Sequence, residues 1–239
     1  MPSILVRQMS RSFGDTLALD RISFEVEEGT FFGCFGPNGA GKSTLLRILT
    51  GQLPPTSGTA TVANIDVEGN GPAVRERVGI VPEAESPPSY LTAYEYLAFV
   101  GRVRKVDDLE ERVGRWIDFF DLEASQDVLC KDLSRGTRQK VMLSSAFLHE
   151  PPILFLDEPF VNLDPVYQHR LREYLLRLRE EGRTIFMCSH ILETAQRLCQ
   201  EMIVLNQGRI VASGSVPQLT AREDLETLFL RLVGEDVHP

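Results

Sequence analysis

One short segment constrains the fold of this chain more than any other. Residues Gly36 to Thr44 read Gly-Pro-Asn-Gly-Ala-Gly-Lys-Ser-Thr, which fits the phosphate-loop pattern G-x-x-x-x-G-K-[ST]. The apolar run at 30–35 predicts a buried strand before the loop, and residues 43–49 predict a helix after it, with Gly51 near the end of that helix. This order predicts an α/β protein built on a mostly parallel sheet.

The composition of the loop suits the binding of phosphate groups. Glycines let the backbone turn its N–H groups inward, and the following helix points its positive end at the same place. Lys42 adds a charge for the outer phosphates, and the Ser43 hydroxyl can hold Mg²⁺. The alternative, a Gly-rich turn that matches by chance, does not explain the flanking strand and helix. The predicted nucleotide-binding residues here are Gly36, Pro37, Asn38, Gly39, Ala40, Gly41, Lys42, Ser43 and Thr44.

Two adjacent carboxylates end a second apolar run, Ile-Leu-Phe-Leu-Asp-Glu at 153–158. Such a run predicts a buried parallel strand, and ligands of open α/β sheets sit at the carboxyl ends of the strands. We expect Asp157 to hold Mg²⁺, directly or through water, and Glu158 to orient or deprotonate an attacking water. The alternative is a helix cap at a strand end.

Three single residues admit two interpretations each. Phe13 lies in a turn-rich stretch, where an aromatic ring is either a core plug, the interpretation favoured by the residue alone, or a stacking platform. Glu83 follows a predicted strand at 78–81 and is either a surface acid or part of the site. His190 follows another predicted strand at 184–188, and it is either structural or close enough to reach the carboxylates.

The remaining pattern alternates strands with helices. Further strands are predicted at 3–7, 22–27, 59–62, 202–205 and 209–212, the last two as a hairpin, and 53–58 as a loop. Residues 84–150 show helical periodicity without a strand signal, which indicates a helical insert that begins with a hinge-like stretch at 84–89. Ser134 is expected to cap a helix that runs to about Leu148, and Asp164 another that ends at Gly182.

Composition narrows the classes of function. The 239 residues carry a formal net charge of −9, which argues against general nucleic-acid binding. We expect no signal peptide and no membrane span, so a role at a membrane requires a partner chain that supplies the spans. The four cysteines lack metal-like spacing and predict reduced thiols in a reducing compartment.

Taken in order, these motifs resemble those of the ATP-binding cassette (ABC) ATPases, over residues 3 to about 220. In that family the loop is the Walker A motif, and 153–158 is Walker B with Glu158 as the catalytic base. The resemblance also assigns the following segments: Leu133–Thr137 to the signature, His190 to the switch histidine, Asn162–Asp164 to the loop that joins two nucleotide sites, and Phe13 to the aromatic residue that stacks on adenine.

Two positions depart from the family pattern. The usual signature is Leu-Ser-Gly-Gly-Gln, whereas this chain has Leu-Ser-Arg-Gly-Thr, in which Ser134 and Gly136 remain able to bond a γ-phosphate across a dimer and Arg135 adds bulk and charge. Glu83 stands where the family usually has Gln. A glutamate can still ligate Mg²⁺ or water, but it brings a further negative charge near the phosphates.

The resemblance implies an architecture and a function. It implies a P-loop NTPase fold, in which a RecA-like core and an antiparallel β subdomain occupy 1–83 and 151–214, a helical subdomain occupies about 84–150, and a short helical tail occupies 215–239. Two chains, identical or paralogous, would enclose two Mg²⁺-ATP and drive a separate membrane permease from the cytoplasmic face. The overall pattern resembles exporter-type ATPases for drugs, lipids or other hydrophobic cargo. The implied catalytic residues are Lys42, Glu158 and His190, and the implied metal ligands are Ser43, Glu83 and Asp157.

Two other functions stay open at this point. A soluble ABC protein that acts on DNA or ribosomes would carry long coiled coils or a second cassette, and this sequence has neither heptad runs nor a second phosphate loop. A small-molecule kinase with a phosphate loop would leave the 133–137 segment and His190 unexplained.

Overall fold

The computed structural model describes residues 2–84 and 87–234, and these residues form an α/β fold with two sheets. The strands are β1 (Pro2–Phe13), β2 (Thr16–Glu27), β3 (Phe31–Phe35), β4 (Ser57–Val62), β5 (Ile65–Asp66), β6 (Val78–Val81), β7 (Ile153–Asp157), β8 (Thr184–Ser189), β9 (Glu201–Asn206) and β10 (Arg209–Ser215). The helices are α1 (Lys42–Leu49), α2 (Gly71–Arg77), α3 (Ala93–Val103), α4 (Leu109–Phe119), α5 (Arg135–Phe147), α6 (Pro165–Glu180), α7 (Leu192–Leu198), α8 (Val216–Leu219) and α9 (Leu225–Val233).

The larger sheet has the order β10-β9-β3-β8-β7-β6, in which only β10 runs antiparallel to its neighbour. The predicted fold class, a mostly parallel α/β sheet with an antiparallel sheet and a helical insert, is therefore confirmed. Because β3, β8 and β7 are parallel neighbours, their carboxyl ends meet at one edge. That edge brings the segments after these three strands together.

The smaller sheet is antiparallel, in the order β2-β1-β4-β5. Its first two strands are much longer than the predicted 3–7 and 22–27. The pairing shifts register between Val6 and Met9, and Gln8 and Arg21 adopt positive φ angles of 46° and 47°. These bulges interrupt the alternation of apolar and polar residues from which strands are predicted. The predicted loop at 53–58 was also too long, since β4 already begins at Ser57.

Two hydrophobic cores lie on opposite faces of the larger sheet, and β3 contributes to both. Phe32 and Cys34 pack into the core that includes residues of α1 and the antiparallel sheet. Phe31 and Phe35 pack into the core that includes residues of α3, α4, α5 and α6. All five residues of β3 are buried, as the predicted buried strand at 30–35 required.

The helical insert contains α3, α4 and α5 and shares its core with the sheet. Trp116 of α4 lies 5.2 Å, ring centroid to ring centroid, from Phe147 of α5. In the described part of the insert the only β-pairing is an isolated bridge between Thr92 and Leu129. Residues 85 and 86 of the predicted hinge-like stretch lie outside the described residues. The boundaries of the subdomains stay a prediction.

The other predicted helix ends agree with the structure. Ser134 caps α5, Asp164 caps α6, and the tail forms α8 and α9, although residues 235–239 lie outside the described part. The four cysteines are free, buried thiols. Within residues 2–84 and 87–234, none of the helices has both the length and the apolar character that a membrane span requires.

Candidate active site

A cavity of about 230 Å³ opens at the edge where the parallel strands end. It brings the phosphate loop, the acidic end of β7 and the segment after β6 together, although these are far apart in sequence. Its lining residues are Ala18, Asn38, Gly39, Gly41, Lys42, Ser43, Thr44, Glu83, Asp157 and Glu158. Gly36, Pro37 and Ala40, which were predicted with the loop, are not among these lining residues.

The loop conformation depends on glycine at two positions. Gly41 has a φ of 107°, and a Cβ there would lie 2.6 Å from the carbonyl oxygen of Ala18. A Cβ on Gly36 would lie 2.1 Å from the carbonyl oxygen of Leu205, so the loop passes directly against β9. Because no acidic side chain lies in the first turn of α1, its amino-terminal N–H groups stay available to an anion.

Lys42 is held at the wall of the cavity. Its side chain is buried, and its Nζ donates hydrogen bonds to the carbonyl oxygens of Gly36 at 2.7 Å and Pro37 at 3.0 Å. An ammonium group has three donors, so one remains in addition to these two bonds. A buried cation with a remaining donor beside helix N–H groups is suited to phosphate oxygens.

The opposite wall of the cavity is acidic. The Ser43 hydroxyl lies 3.4 Å from Oε2 of Glu83, and Asp157 is buried at the end of β7. Burial raises the pKa of Asp157 to about 6; the Ser43 hydrogen bond opposes this shift, and the charges of Glu83 and Glu158 add to it. The carboxylates therefore repel one another, and the cavity favours a cationic ligand beside its anionic one.

This donor set fits Mg²⁺. A hydroxyl from Ser43 and carboxylates from Glu83 and Asp157 are the hard oxygen ligands that Mg²⁺ prefers. Within the part of the chain that the structure describes, no cluster of three or more His, Cys, Asp or Glu residues could hold a metal. One hydroxyl and two carboxylates leave positions of an octahedral Mg²⁺ open, and phosphate oxygens and water usually fill such positions.

Glu158 is fixed by the last two residues of β8 and by the residue that follows the strand. Its backbone N–H donates to the carbonyl oxygen of Cys188 at 3.0 Å, and its own φ is 50°. The Ser189 hydroxyl donates to Oε2 at 2.9 Å, while Nδ1 of His190 lies 2.7 Å from Oε1. The structure thus brings the predicted base and the predicted switch histidine into direct contact.

Phe13 lies at the tip of the β1–β2 hairpin and is 47% exposed. The interpretation of this ring as a core plug is therefore wrong. The Arg11 guanidinium lies 4.6 Å from the ring centroid and covers one side of it. Phe13 is not among the described residues that line the cavity, and its stacking role stays a prediction.

The predicted signature residues lie at the start of α5, and neither Ser134 nor Gly136 is among the described residues that line the cavity. The Ser134 hydroxyl accepts a hydrogen bond from the backbone N–H of Thr137 at 3.1 Å. A Cβ on Gly136 would lie 2.7 Å from the carbonyl oxygen of Asn162. Ser134 and Arg135 are exposed, so this helix start is open to solvent.

Two residues of the site were missed by the sequence analysis. Ala18 lines the cavity, and a small apolar residue carries no chemical signal in the sequence. Ser189 bonds Glu158, and its position next to His190 in a segment that already held a candidate was the available signal.

The comparisons with known proteins agree with this geometry. The family model described as "ABC transporter" matches residues 19–161. "Nod factor export ATP-binding protein I" of Cupriavidus metallidurans is 34% identical over 242 residues, which cover 100% of this chain and 80% of that protein. The protein of the same name from Sinorhizobium fredii is 37% identical over 214 residues, and the match spans 89% of this chain but only 62% of that relative's length.

Solved structures show the same fold. An "ATP binding subunit of ABC transporter" has a TM-score of 0.90 and 29% identity, and the match covers 96% of this chain and 98% of that one. A dimeric bacterial ABC transporter cassette has a TM-score of 0.82 and 24% identity, with 89% and 98% covered. At that identity the second likeness bears on the fold alone.

Proposed function

Because this chain belongs to the ABC transporter family, we propose that it binds and hydrolyses ATP to drive export through a separate membrane permease. One observation carries this proposal. A single cavity joins the phosphate loop to three carboxylates, and one of these, Glu158, is also held by a histidine. A site that only binds phosphate gains nothing from a buried carboxylate beside it, because the two negative charges repel each other.

The residues have distinct roles in this reaction. The loop N–H groups and Lys42 hold the β- and γ-phosphates and offset the negative charge that spreads over the γ-phosphoryl oxygens during transfer. Glu158 takes a proton from water as the water oxygen attacks the γ-phosphorus, and ADP leaves with the bridging oxygen. His190 lies within hydrogen-bond distance of Oε1 of Glu158 and holds that oxygen until a ligand occupies the cavity.

Mg²⁺ belongs to the proposed site, held by Ser43, Asp157 and Glu83. When bound, it neutralises phosphate charge and orients the phosphate oxygens. Burial and the neighbouring carboxylates raise the pKa of Asp157. A cation bound between the carboxylates would relieve their repulsion. Glu83 contributes an oxygen ligand and one more negative charge at this wall than an amide would.

A second chain completes the site. The start of α5 offers the Ser134 hydroxyl and backbone N–H groups to an anion, but it lies outside the chain's own cavity and is exposed. A head-to-tail pair of chains would place this helix start against the γ-phosphate bound by the partner. ATP would then hold the dimer together, and hydrolysis would release it.

Export is the transport direction that we infer. Relatives that align with the whole chain or nearly so are named for Nod factor export. Transport also requires a chain that crosses the membrane, since the described residues supply no spanning helix. We propose that a separately encoded membrane permease docks on this subunit at the cytoplasmic face of the membrane.

Hydrolysis is tested with Glu158→Gln, which keeps the shape of the side chain but cannot accept the proton. We expect phosphate release to fall by roughly 100-fold or more, while ATP binding persists and an ATP-bound dimer accumulates. Phosphate release and size-exclusion chromatography with ATP measure these effects. Glu173→Gln, a change of the same kind on α6, is the control, and normal turnover by Glu158→Gln would refute the proposed base.

Transport is tested by affinity purification of the tagged chain from gently solubilised membranes, with mass spectrometry of the proteins that accompany it. A polytopic membrane protein that depends on ATP state for its recovery is the expected partner. Recovery of ribosomes, nucleic acid or soluble proteins alone would contradict export and support the soluble alternative.

A further inference from the structure

We propose that Ser189 is a positioning residue for Glu158, and that it selects which carboxylate oxygen of Glu158 receives the proton from water. The inference rests on the proposed function of Glu158 as the base. Ser189 ends β8, directly before His190, and its side chain is buried. Its role follows from three features: the direction of its hydroxyl proton, its burial compared with that of His190, and the rigidity of the backbone around it.

The Ser189 hydroxyl has one donor, and its partners assign that donor to Glu158. The backbone N–H of Ile191 donates to Ser189 Oγ at 3.1 Å, so the hydroxyl oxygen already acts as an acceptor there. The 2.9 Å contact with Oε2 of Glu158 must then use the hydroxyl proton, because a carboxylate can only accept. Ser189 therefore gives its single donor to Oε2 of Glu158.

The two partners of Glu158 differ in how firmly they are held. Ser189 is 2% exposed, whereas the side chain of His190 is 52% exposed. His190 can leave Oε1 by rotating its side chain into solvent or towards a bound phosphate. Ser189 has no such freedom, since its oxygen is also bonded to the Ile191 N–H. Oε1 is thus the oxygen that becomes free for water, and Oε2 stays bonded to Ser189.

The backbone fixes the distance between the two strand ends. The Glu158 N–H donates to the carbonyl oxygen of Cys188, which directly precedes Ser189. Asp157 and Cys188 are also register partners in the β7–β8 ladder. The serine and the glutamate are therefore held opposite each other before any ligand binds. Ordering the base then adds no entropy loss to the activation free energy.

The test is Ser189→Ala, with kcat and KM for ATP measured separately. We expect kcat to fall roughly 10-fold or more, because a charged hydrogen bond is lost, with KM and nucleotide affinity changed by less than about 2-fold. Ser144→Ala is the matched control, since it also removes a buried hydroxyl, which donates to the backbone carbonyl oxygen of Lys140 in its own helix. That control should retain normal kcat.

A structural role for Ser189 would give a different result. If Ser189 acted only in folding, Ser189→Ala would lower the melting temperature and weaken ATP binding together with kcat, and this would overturn the proposal. Unchanged kcat would overturn it as well. Ser189→Thr restores the hydroxyl, and we expect it to recover a large part of the lost kcat; failure to recover any of it would contradict positioning by the hydroxyl.

A double variant distinguishes the positioning role of Ser189 from the role of Glu158 as the base. In a Glu158→Gln background, Ser189→Ala should cause no further loss of the residual phosphate release, because the serine acts only through the carboxylate. A further loss would overturn the inference. If Glu158→Gln abolishes turnover and Ser189→Ala does not reduce it, only the inference fails; if Glu158→Gln turns over normally, the proposed function fails.

Discussion

The chain presents two helix starts suited to anions, and they differ in how completely they are enclosed. The start of α1 lies in a cavity with its own buried cation, Lys42, and with carboxylates on the facing wall. The start of α5 has a capping serine and an exposed arginine, and neither residue lines the cavity at α1. The first therefore offers a cation, N–H groups and carboxylates to one ligand, whereas the second, in the proposed function, contacts a ligand that another chain holds.

Helix α5 contacts the segment that follows Glu158, which lines the cavity at α1. Gly136 of α5 packs against Asn162, and the buried Gln139 donates from Nε2 to the carbonyl oxygen of Pro159 at 3.1 Å. Pro159 directly follows Glu158, so α5 is attached to the segment that carries the base. In the proposed function, these contacts join the segment that carries the base to the helix start that meets the partner's nucleotide.

The largest effect is expected at the enclosed helix start. Lys42→Ala removes the buried cation, and we expect ATP hydrolysis to fall by roughly 100-fold or more together with a loss of ATP affinity. Arg47→Ala removes an exposed positive charge from the same helix and should leave both almost unchanged. Isothermal titration with ATP and an assay of phosphate release measure these effects. Full activity in Lys42→Ala would contradict the role of the loop.

A change at the open helix start should separate binding from turnover. Gly136→Asp adds a side chain within 2.7 Å of the Asn162 carbonyl and a negative charge where a γ-phosphate is expected. We expect ATP binding by the monomer to persist, with turnover reduced by roughly 10-fold or more. Gly114→Asp on α4, where an added Cβ meets nothing within 4 Å, is the control. Loss of ATP binding in Gly136→Asp would contradict a site shared across chains.

A smaller effect concerns the stability of the ligand-free protein. Burial, with the charges of Glu83 and Glu158, raises the pKa of Asp157 to about 6, above its ordinary value of 3.8. The folded chain thus holds this proton more tightly than the unfolded chain, and stability falls as pH rises from 3.8 to about 6. Asp157→Asn removes that cost, so we expect it to be more stable by roughly 1–3 kcal/mol at neutral pH.

Urea unfolding measures the stability of both proteins. The extra stability of Asp157→Asn should vanish at about pH 4, where Asp157 is protonated in the folded chain. Asp132→Asn changes an exposed carboxylate beside the open helix start and should alter stability at neither pH. A gain of the same size at both pH values would contradict an electrostatic origin. Asp157→Asn should also lose Mg²⁺-dependent hydrolysis, because it removes a proposed ligand of the cation. The carboxylate that lowers the stability of the ligand-free chain is thus the one that binds the cation.

Motifs that act through local backbone geometry could be predicted from the sequence. The loop from Gly36 to Ser43, the acidic end of β7 and the caps at Ser134 and Asp164 all depend on residues that are neighbours in sequence. A short pattern therefore contains the whole physical reason for each structure. The parallel sheet followed from the same local units, because consecutive strand–helix units wind in one hand.

Features that depend on distant contacts could not be predicted in this way. The bulges at Gln8 and Arg21 concealed the full length of β1 and β2. Helix α2 begins with Gly71 and Pro72, a pair typical of loops, so its seven residues gave no helical signal. Ala18 acquires a role only when the antiparallel sheet places it against the phosphate loop. In each case the fold supplies information that the local sequence lacks.

Strand β3 has a consequence for how the molecule can move. Successive residues of this strand belong to opposite cores, so a shift of the strand in either direction opens space in one core and compresses the other. The phosphate loop therefore follows a strand whose displacement is costly in either direction. Glu83 and His190, by contrast, are exposed residues, and changing their side-chain rotamers disturbs neither core.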